Sequence, residues 1–195
     1  MSSASPDLIL IKGAPGVGKS TVAKILASHF RSGVRIEVDT LRGMVIGVKW
    51  TDQTEHQSLL TLSAQLAAGF LRTGFAPVIL VDTFSGDKVD SFLNTFRSEC
   101  PRSRVFVAVL HASEDVLRER VLNRDADGFR DVDVSMRINH DSVRHARRFE
   151  TLVNTSSLLP NEVASAVLEA MRHGCDATES STSEKSMTRP PHPIG

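Results

Sequence analysis

The sequence predicts an α/β protein whose parallel sheet is covered by helices on both faces. Three observations carry that expectation. Short, nearly uninterrupted apolar runs recur along the chain, helical patterns of ten to twenty residues separate them, and a glycine-rich stretch sits at the first junction between the two. Strand and helix alternating in this way is the signature of a sheet wound through crossover helices.

The elements follow in order. Leu8 to Ile11 is apolar throughout, as a strand buried on both faces must be. Lys19 to Phe30 reads as the first helix, Val34 to Val38 as the second strand, and Glu55 to Arg72 as a long helix. Val78 to Val81 is the third strand, Lys88 to Arg97 the helix after it, and Val105 to Leu110 the fourth strand. Ser113, an N-cap residue, precedes Glu114 and Asp115, first-turn acids of a helix expected to run to Arg124. A fainter fifth run, Thr151 to Val153, precedes a last helix over Asn161 to Met171, opened by Pro160. From residue 174 the chain turns polar and rich in serine, threonine and proline. The expected organisation is one domain over 8–173 and a disordered tail over 174–195.

Composition narrows the class. The chain has 195 residues, one domain's worth, and 41% hydrophobic content is enough for a proper core. Formal net charge is zero, which supplies no electrostatic reason to expect a long nucleic acid or an anionic membrane as partner. The two cysteines, Cys100 and Cys175, lie far apart without metal-ligand spacing, which argues against a disulfide scaffold or zinc site and fits a reducing compartment. No apolar run approaches the roughly 20 residues that span a bilayer. The first residues lack the basic segment of a signal peptide. The expectation is a cytoplasmic protein with no membrane partner.

The glycine-rich stretch is GAPGVGKST: Gly13, Ala14, Pro15, Gly16, Val17, Gly18, Lys19, Ser20 and Thr21. It fills the pattern G-x-x-x-x-G-K-[ST] between a predicted strand and a predicted helix. Glycines let the backbone curl so that successive N–H groups converge on phosphate oxygens, and the helix N-terminus adds partial positive charge. In such loops the lysine, here Lys19, reaches the β- and γ-phosphates, and the hydroxyl, here Ser20, ligates magnesium. The motif predicts a P-loop that binds ATP or GTP with Mg2+. A GTP switch needs an N-K-x-D after a strand. Asn123-Arg124-Asp125 is only a loose echo of it, at a helix end. Phe84-Ser85-Gly86 is too slight for a transporter-ATPase signature, and a ring-forming motor normally has a longer core. A small ATP-dependent phosphotransferase suits the chain best.

Such an enzyme needs a group to take the acceptor's proton and cations to hold the transferring phosphoryl. Residues at the carboxyl ends of strands in an α/β sheet face the ligand crevice. Asp39, in IEVDTLRG, is therefore the expected general base, and a helix N-cap is its structural alternative. Arg42, one helical turn on, is expected to anchor the acceptor, against the reading of a solvated surface arginine. Asp82 closes VILVDT in the Walker B manner and is expected to orient magnesium, with acceptor contact as a competing role. Arg120 and Arg124 share a helix face ahead of Asp125-Ala-Asp-Gly128, which together suggest a small lid that closes cations over the phosphates. The alternative is an exposed helix with Glu119 pairs. The Arg144, His145, Arg147 and Arg148 cluster reads as a solvated helix face, and His56, His111 and His140 read as ordinary structural residues.

Together these residues resemble the small P-loop kinases that include the kinase half of polynucleotide kinase, chloramphenicol phosphotransferase and zeta toxins. Asp39-Thr40-Leu41-Arg42 matches the D-x-x-R of polynucleotide kinase, Arg120 to Arg124 its lid R-x-x-x-R, and Asp82-Thr83 its Asp-Thr pair. Val38-Asp39-Thr40-Leu41 is similar to the V-D-S-L of chloramphenicol phosphotransferase, which lacks the arginine. The resemblance implies a five-stranded parallel sheet, Asp39 as base, Arg42 as substrate ligand, and adenine between the lid helix and Thr155-Ser156-Ser157. No phosphatase half is present, and Gly43 to Phe70 declares no acceptor. The leading expectation is transfer of the γ-phosphate of ATP to a hydroxyl of a small molecule. A nucleic-acid 5′-hydroxyl is the less favoured acceptor, and a non-catalytic nucleotide-binding regulator is the alternative of another class.

Overall fold

The computed structural model describes residues 5–125 and 128–180. Five strands, β1 (Leu8–Lys12), β2 (Val34–Glu37), β3 (Val78–Val81), β4 (Val105–His111) and β5 (Glu150–Asn154), form one sheet. Its order is β2-β3-β1-β4-β5 and every pairing is parallel. The helices are α1 (Lys19–Ala27), α2 (Val38–Gly43), α3 (Gln53–Arg72), α4 (Lys88–Glu99), α5 (Glu114–Leu122), α6 (Val132–Arg144) and α7 (Pro160–Ser180).

Alternation along the strands divides the core in two. Ile9 and Ile11 of β1 point to the layer that holds Leu26 of α1, Leu117 of α5 and Val167 of α7. Leu8 and Leu10 point the other way, to Leu60 and Ala64 of α3 and Phe92 and Phe96 of α4. Both faces of β1 and β3 are therefore buried, which is why their sequences are continuous apolar runs. Lys12 breaks the run at the end of β1. Its Nζ lies 2.9 Å from Glu150 Oε1 at the start of β5, with both side chains buried. Arg147 continues this network by binding Asp90 of α4 and the Gly86 carbonyl. Losing one partner of such a pair strands a buried charge, so the network fixes these elements against one another.

The structure differs from the sequence expectation at several places. His145, Arg147 and Arg148, expected on a solvated helix face, lie beyond α6, and Arg147 is bound to Asp90. Strand β2 ends at Glu37, and Val38 opens the short helix α2 instead of closing the strand. Helix α6 lies where no helix was laid out, on the face shared with α5. Helix α7 runs to Ser180, so the described backbone of 174–180 continues the helix; residues 181–195 of the expected tail lie outside the described residues. In the expected lid, Ala126 and Asp127 also lie outside them. Among the described residues no helix is long and apolar enough to cross a membrane.

Candidate active site

The loop between β1 and α1 is a cradle that side chains would fill. Gly13 has φ +145°, and a Cβ there would stand 2.2 Å from the Leu110 carbonyl oxygen of β4. Gly16 has φ +91°, and a Cβ there would stand 2.7 Å from Val121 Cγ2 of α5. Only glycine combines that backbone with that proximity. The first turn of α1 carries no acidic residue and no side-chain cap, whereas Asp52 caps α3 and Asp131 caps α6. Its N–H groups and partial positive charge are thus left for an anion.

Lys19 is the first residue of α1 and donates from Nζ to the Ala14 carbonyl oxygen at 3.0 Å. Burial lowers its pKa to about 8, against the opposing pull of Asp82 and Asp39, while the positive charge of Arg124 pushes the same way as burial. These groups come from the loop, the start of α2, the end of β3 and the end of α5, and they share one electrostatic space. Ser20 Oγ donates to Glu37 Oε2 at 2.9 Å, and the other carboxylate oxygen of Glu37 pairs with Arg35. Ser20, Glu37 and Asp82 are oxygen donors only, the set a hard cation such as magnesium prefers. Among the described residues no group of three or more His, Cys, Asp or Glu converges on a metal position. Magnesium does not need such a cage, since it takes one or two carboxylates together with substrate phosphates. The residues present therefore fit a magnesium nucleotide.

Asp39 sits in the first turn of α2, exposed, with Glu37 at the N-cap position. It is not the cap, and its carboxylate is favoured there by the helix dipole. Arg42 is neither solvated nor open. It is 6% exposed, donates from Nη2 to the carbonyls of Trp50 at 2.8 Å and Lys49 at 3.4 Å, and lies 4.7 Å from the Trp50 ring centroid. Its Nε is buried without a partner. Arg42 thus pins the loop over residues 43–52, whose Met44, Ile46 and Trp50 are exposed.

The two lid arginines part company. Arg124, half-buried, is the one felt by Lys19, and a surface cavity lined by Asn123, Arg124, Asp125 and Gly128 opens beside it. Arg120 turns to Thr155 instead. Nη1 and Nη2 each donate at 2.9 Å, to the Thr155 hydroxyl and carbonyl, and that hydroxyl donates to the His111 carbonyl at 3.1 Å. Burial lowers the pKa of His111.

The sequence reading gave no site role to Glu37, His56 or Lys88. Glu37 lies two residues before Asp39, and an acid-x-acid pair at a strand end is the signal that could have found it. His56 is 3.2 Å from Asp82 Oδ1 and Lys88 is 3.1 Å from His56. Neither announces itself, because their partners come from distant segments. Thr155 entered only as a marker of the adenine loop.

A glycine cradle ahead of an uncapped helix, a lysine folded into it, and a five-stranded parallel sheet define a P-loop protein of kinase-like α/β fold. A family model described as an AAA domain matches residues 8–149, and the chain belongs to that family. Among solved structures it is similar to a gluconokinase from Sinorhizobium meliloti 1021, at 20% identity and TM-score 0.65, covering 91% of this chain and 98% of that one. It is similar to a tunicamycin resistance protein from Deinococcus radiodurans, at 22% identity and TM-score 0.64, covering 86% and 95%. A shikimate kinase from Acinetobacter baumannii, in complex with shikimate, aligns at 16% identity and TM-score 0.56, covering 94% and 97%. These neighbours bear out the likeness to small P-loop kinases in fold. No curated protein matches the chain in sequence.

Proposed function

We propose that the protein is an ATP-dependent kinase that phosphorylates a hydroxyl of a small-molecule acceptor. The observation that carries the reading is Asp39: an exposed carboxylate at the start of α2, close enough to Lys19 to act on its charge. A phosphoryl donor held by the loop and an acceptor beside Asp39 would meet in that space. The gluconokinase and shikimate kinase neighbours support a small hydroxylated acceptor.

ATP would supply the γ-phosphoryl group, and Mg2+, which Ser20 and Asp82 would hold, would supply charge neutralisation at the phosphates. The chain's own residues do the rest. The loop N–H groups between Gly16 and Thr21 and the α1 N-terminus hold the phosphates. Lys19 gives up its bond to Ala14 and neutralises charge on the transferring group. Asp39 takes the acceptor's proton as its oxygen forms the new bond to phosphorus and the bond to the bridging oxygen breaks. Arg124 covers the group from α5 and excludes water. Arg120 holds Thr155 and keeps α5 docked over the loop that resembles an adenine site. Arg42 braces the acceptor wall from within, through the carbonyls of Lys49 and Trp50. The cytosol, where ATP is plentiful, is the compartment this chemistry suits.

The test is a screen of sugars, sugar acids, amino alcohols and short 5′-hydroxyl oligonucleotides with labelled ATP and Mg2+, run beside Asp39→Asn. Transfer to a small molecule that collapses in the variant is the expected result. Label moving only to oligonucleotides would replace the acceptor class, and ATP binding without transfer to any acceptor would leave a nucleotide-binding regulator.

A further inference from the structure

A polar chain crosses the apolar layer behind the acceptor side. Gln53 and His56 lie one turn apart on α3, Lys88 begins α4, and Asp82 follows β3. Lys88 Nζ donates to Gln53 Oε1 at 2.7 Å and meets His56 Nδ1 at 3.1 Å. His56 Nε2 meets Asp82 Oδ1 at 3.2 Å, and the Phe84 N–H donates to Asp82 Oδ2 at 2.9 Å. His56 is 7% exposed and Asp82 6%.

The donors assign the tautomer. An ammonium has hydrogens and no acceptor, so Nδ1 of His56 must present its lone pair to Lys88. The ring's one proton then sits on Nε2 and points at the carboxylate. Each oxygen of Asp82 therefore receives one N–H, and each keeps one lone pair. That carboxylate also acts on Lys19, in the phosphate cradle.

We propose that His56 and Lys88 are positioning residues for Asp82: Lys88 fixes the imidazole as a donor, and the imidazole holds the carboxylate at the angle from which its free lone pairs orient hydrated magnesium beside the bound phosphates. The inference rests on the reading of Asp82 as the magnesium-side carboxylate. It goes beyond that reading in assigning two side chains, on α3 and α4, that touch neither nucleotide nor metal. Outer partners of this kind set the orientation of metal-binding carboxylates, and losing them weakens metal binding by about 10–100-fold.

The experiment measures binding of a fluorescent ATP analogue to the full chain, with Mg2+ and with EDTA, for wild type, Asp82→Asn, His56→Leu, His56→Gln and Lys88→Met. Magnesium is expected to tighten wild-type binding. His56→Leu should lose most of that gain, roughly tenfold or more, while keeping its EDTA affinity. His56→Gln should recover it, because its amide can carry an N–H to the same oxygen. A gain lost in Asp82→Asn but intact in His56→Leu overturns the proposal alone, as does glutamine behaving like leucine. A gain that survives Asp82→Asn removes the metal reading of Asp82 and the proposal with it. If His56→Leu does not fold, Lys88→Met decides, since Lys88 is only half-buried: a reduced gain supports the proposal and an unchanged one overturns it.

Discussion

Replacing Gly13 by alanine puts a methyl carbon 2.2 Å from the carbonyl oxygen of Leu110, where side-chain contacts do not come closer than 3.0 Å. The two atoms must part by 0.8 Å, and neither has an easy way to move. Leu110 belongs to β4, hydrogen-bonded to β1 on one side and β5 on the other, and Gly13 directly follows β1. The new side chain must also adopt φ +145°, a backbone region closed to it. Backbone strain of about 1–3 kcal/mol and overpacking of about 1–3 kcal/mol combine to roughly 2–6 kcal/mol. At about 2–4 °C per kcal/mol for a chain of this size, the melting temperature should drop by roughly 4–24 °C. Gly43→Ala is the control. It sits at the end of α2 in open space without a positive φ, and should be neutral or stabilising by up to about 1 kcal/mol. Thermal melts of both variants, followed by nucleotide titration of whatever fraction folds, make the comparison. A Gly13→Ala protein melting within a degree or two of wild type would refute the claim that the cradle is built directly against β4.

Asp39→Asn should cut phosphoryl transfer by about 10²–10⁴-fold with an unchanged melt, because the residue is exposed; transfer within twofold of wild type removes it as base. Because burial lowers Lys19 to about 8, the folded chain gives up a proton that the unfolded chain keeps up to the ordinary lysine value. With the unfolded state binding more protons, stability rises with pH between about 8 and 10.5. Denaturant melts across that window should show a smaller rise in Lys19→Met than in wild type, the remainder coming from Lys88, which burial also lowers. Thr155→Val strips two hydroxyl hydrogen bonds, one from Arg120 and one to His111, and should cost about 1–3 kcal/mol in a denaturant melt. The same variant should weaken ATP binding if α5 is held in place through that hydroxyl, and unchanged affinity argues that Arg120 is ornamental to the nucleotide.

The parts of the fold legible in sequence are those whose burial is apolar on both sides. β1, β3 and most of β4 are continuous runs of Val, Ile and Leu because helices cover both of their faces. β5 is fainter because it is an edge strand, with Leu152 and Asn154 exposed and Glu150 buried against Lys12. α6 escaped because its fully buried positions are Ser135, Asn139 and Ser142, while the apolar Val132, Met136 and Ile138 that pack on the core are only partly buried. Asn139 explains the inversion: it accepts from the Ala112 N–H and donates to the Ala112 carbonyl, closing the open end of β4. In the candidate site, the glycine cradle was legible because local spacing carries its chemistry, and Asp39 drew notice by its place just after a strand. Glu37 was passed over beside the more obvious acid. The His56–Lys88 pair has no local signature, since two helices distant in sequence, α3 and α4, bring it together beside Asp82.

The loop over residues 43–52 is fastened at both ends by its own chain. Arg42 grips the carbonyls of Lys49 and Trp50, Glu55 accepts from the Lys49 N–H, and Asp52 caps the helix that follows. Between those fastenings Met44 and Ile46 stand out in water and support nothing beneath them. A segment so anchored is an exchangeable cartridge: its tip can be rewritten while the phosphate cradle stays as it is. On the proposed reading, substitutions at this tip alter the acceptor side and leave the phosphate cradle as it is.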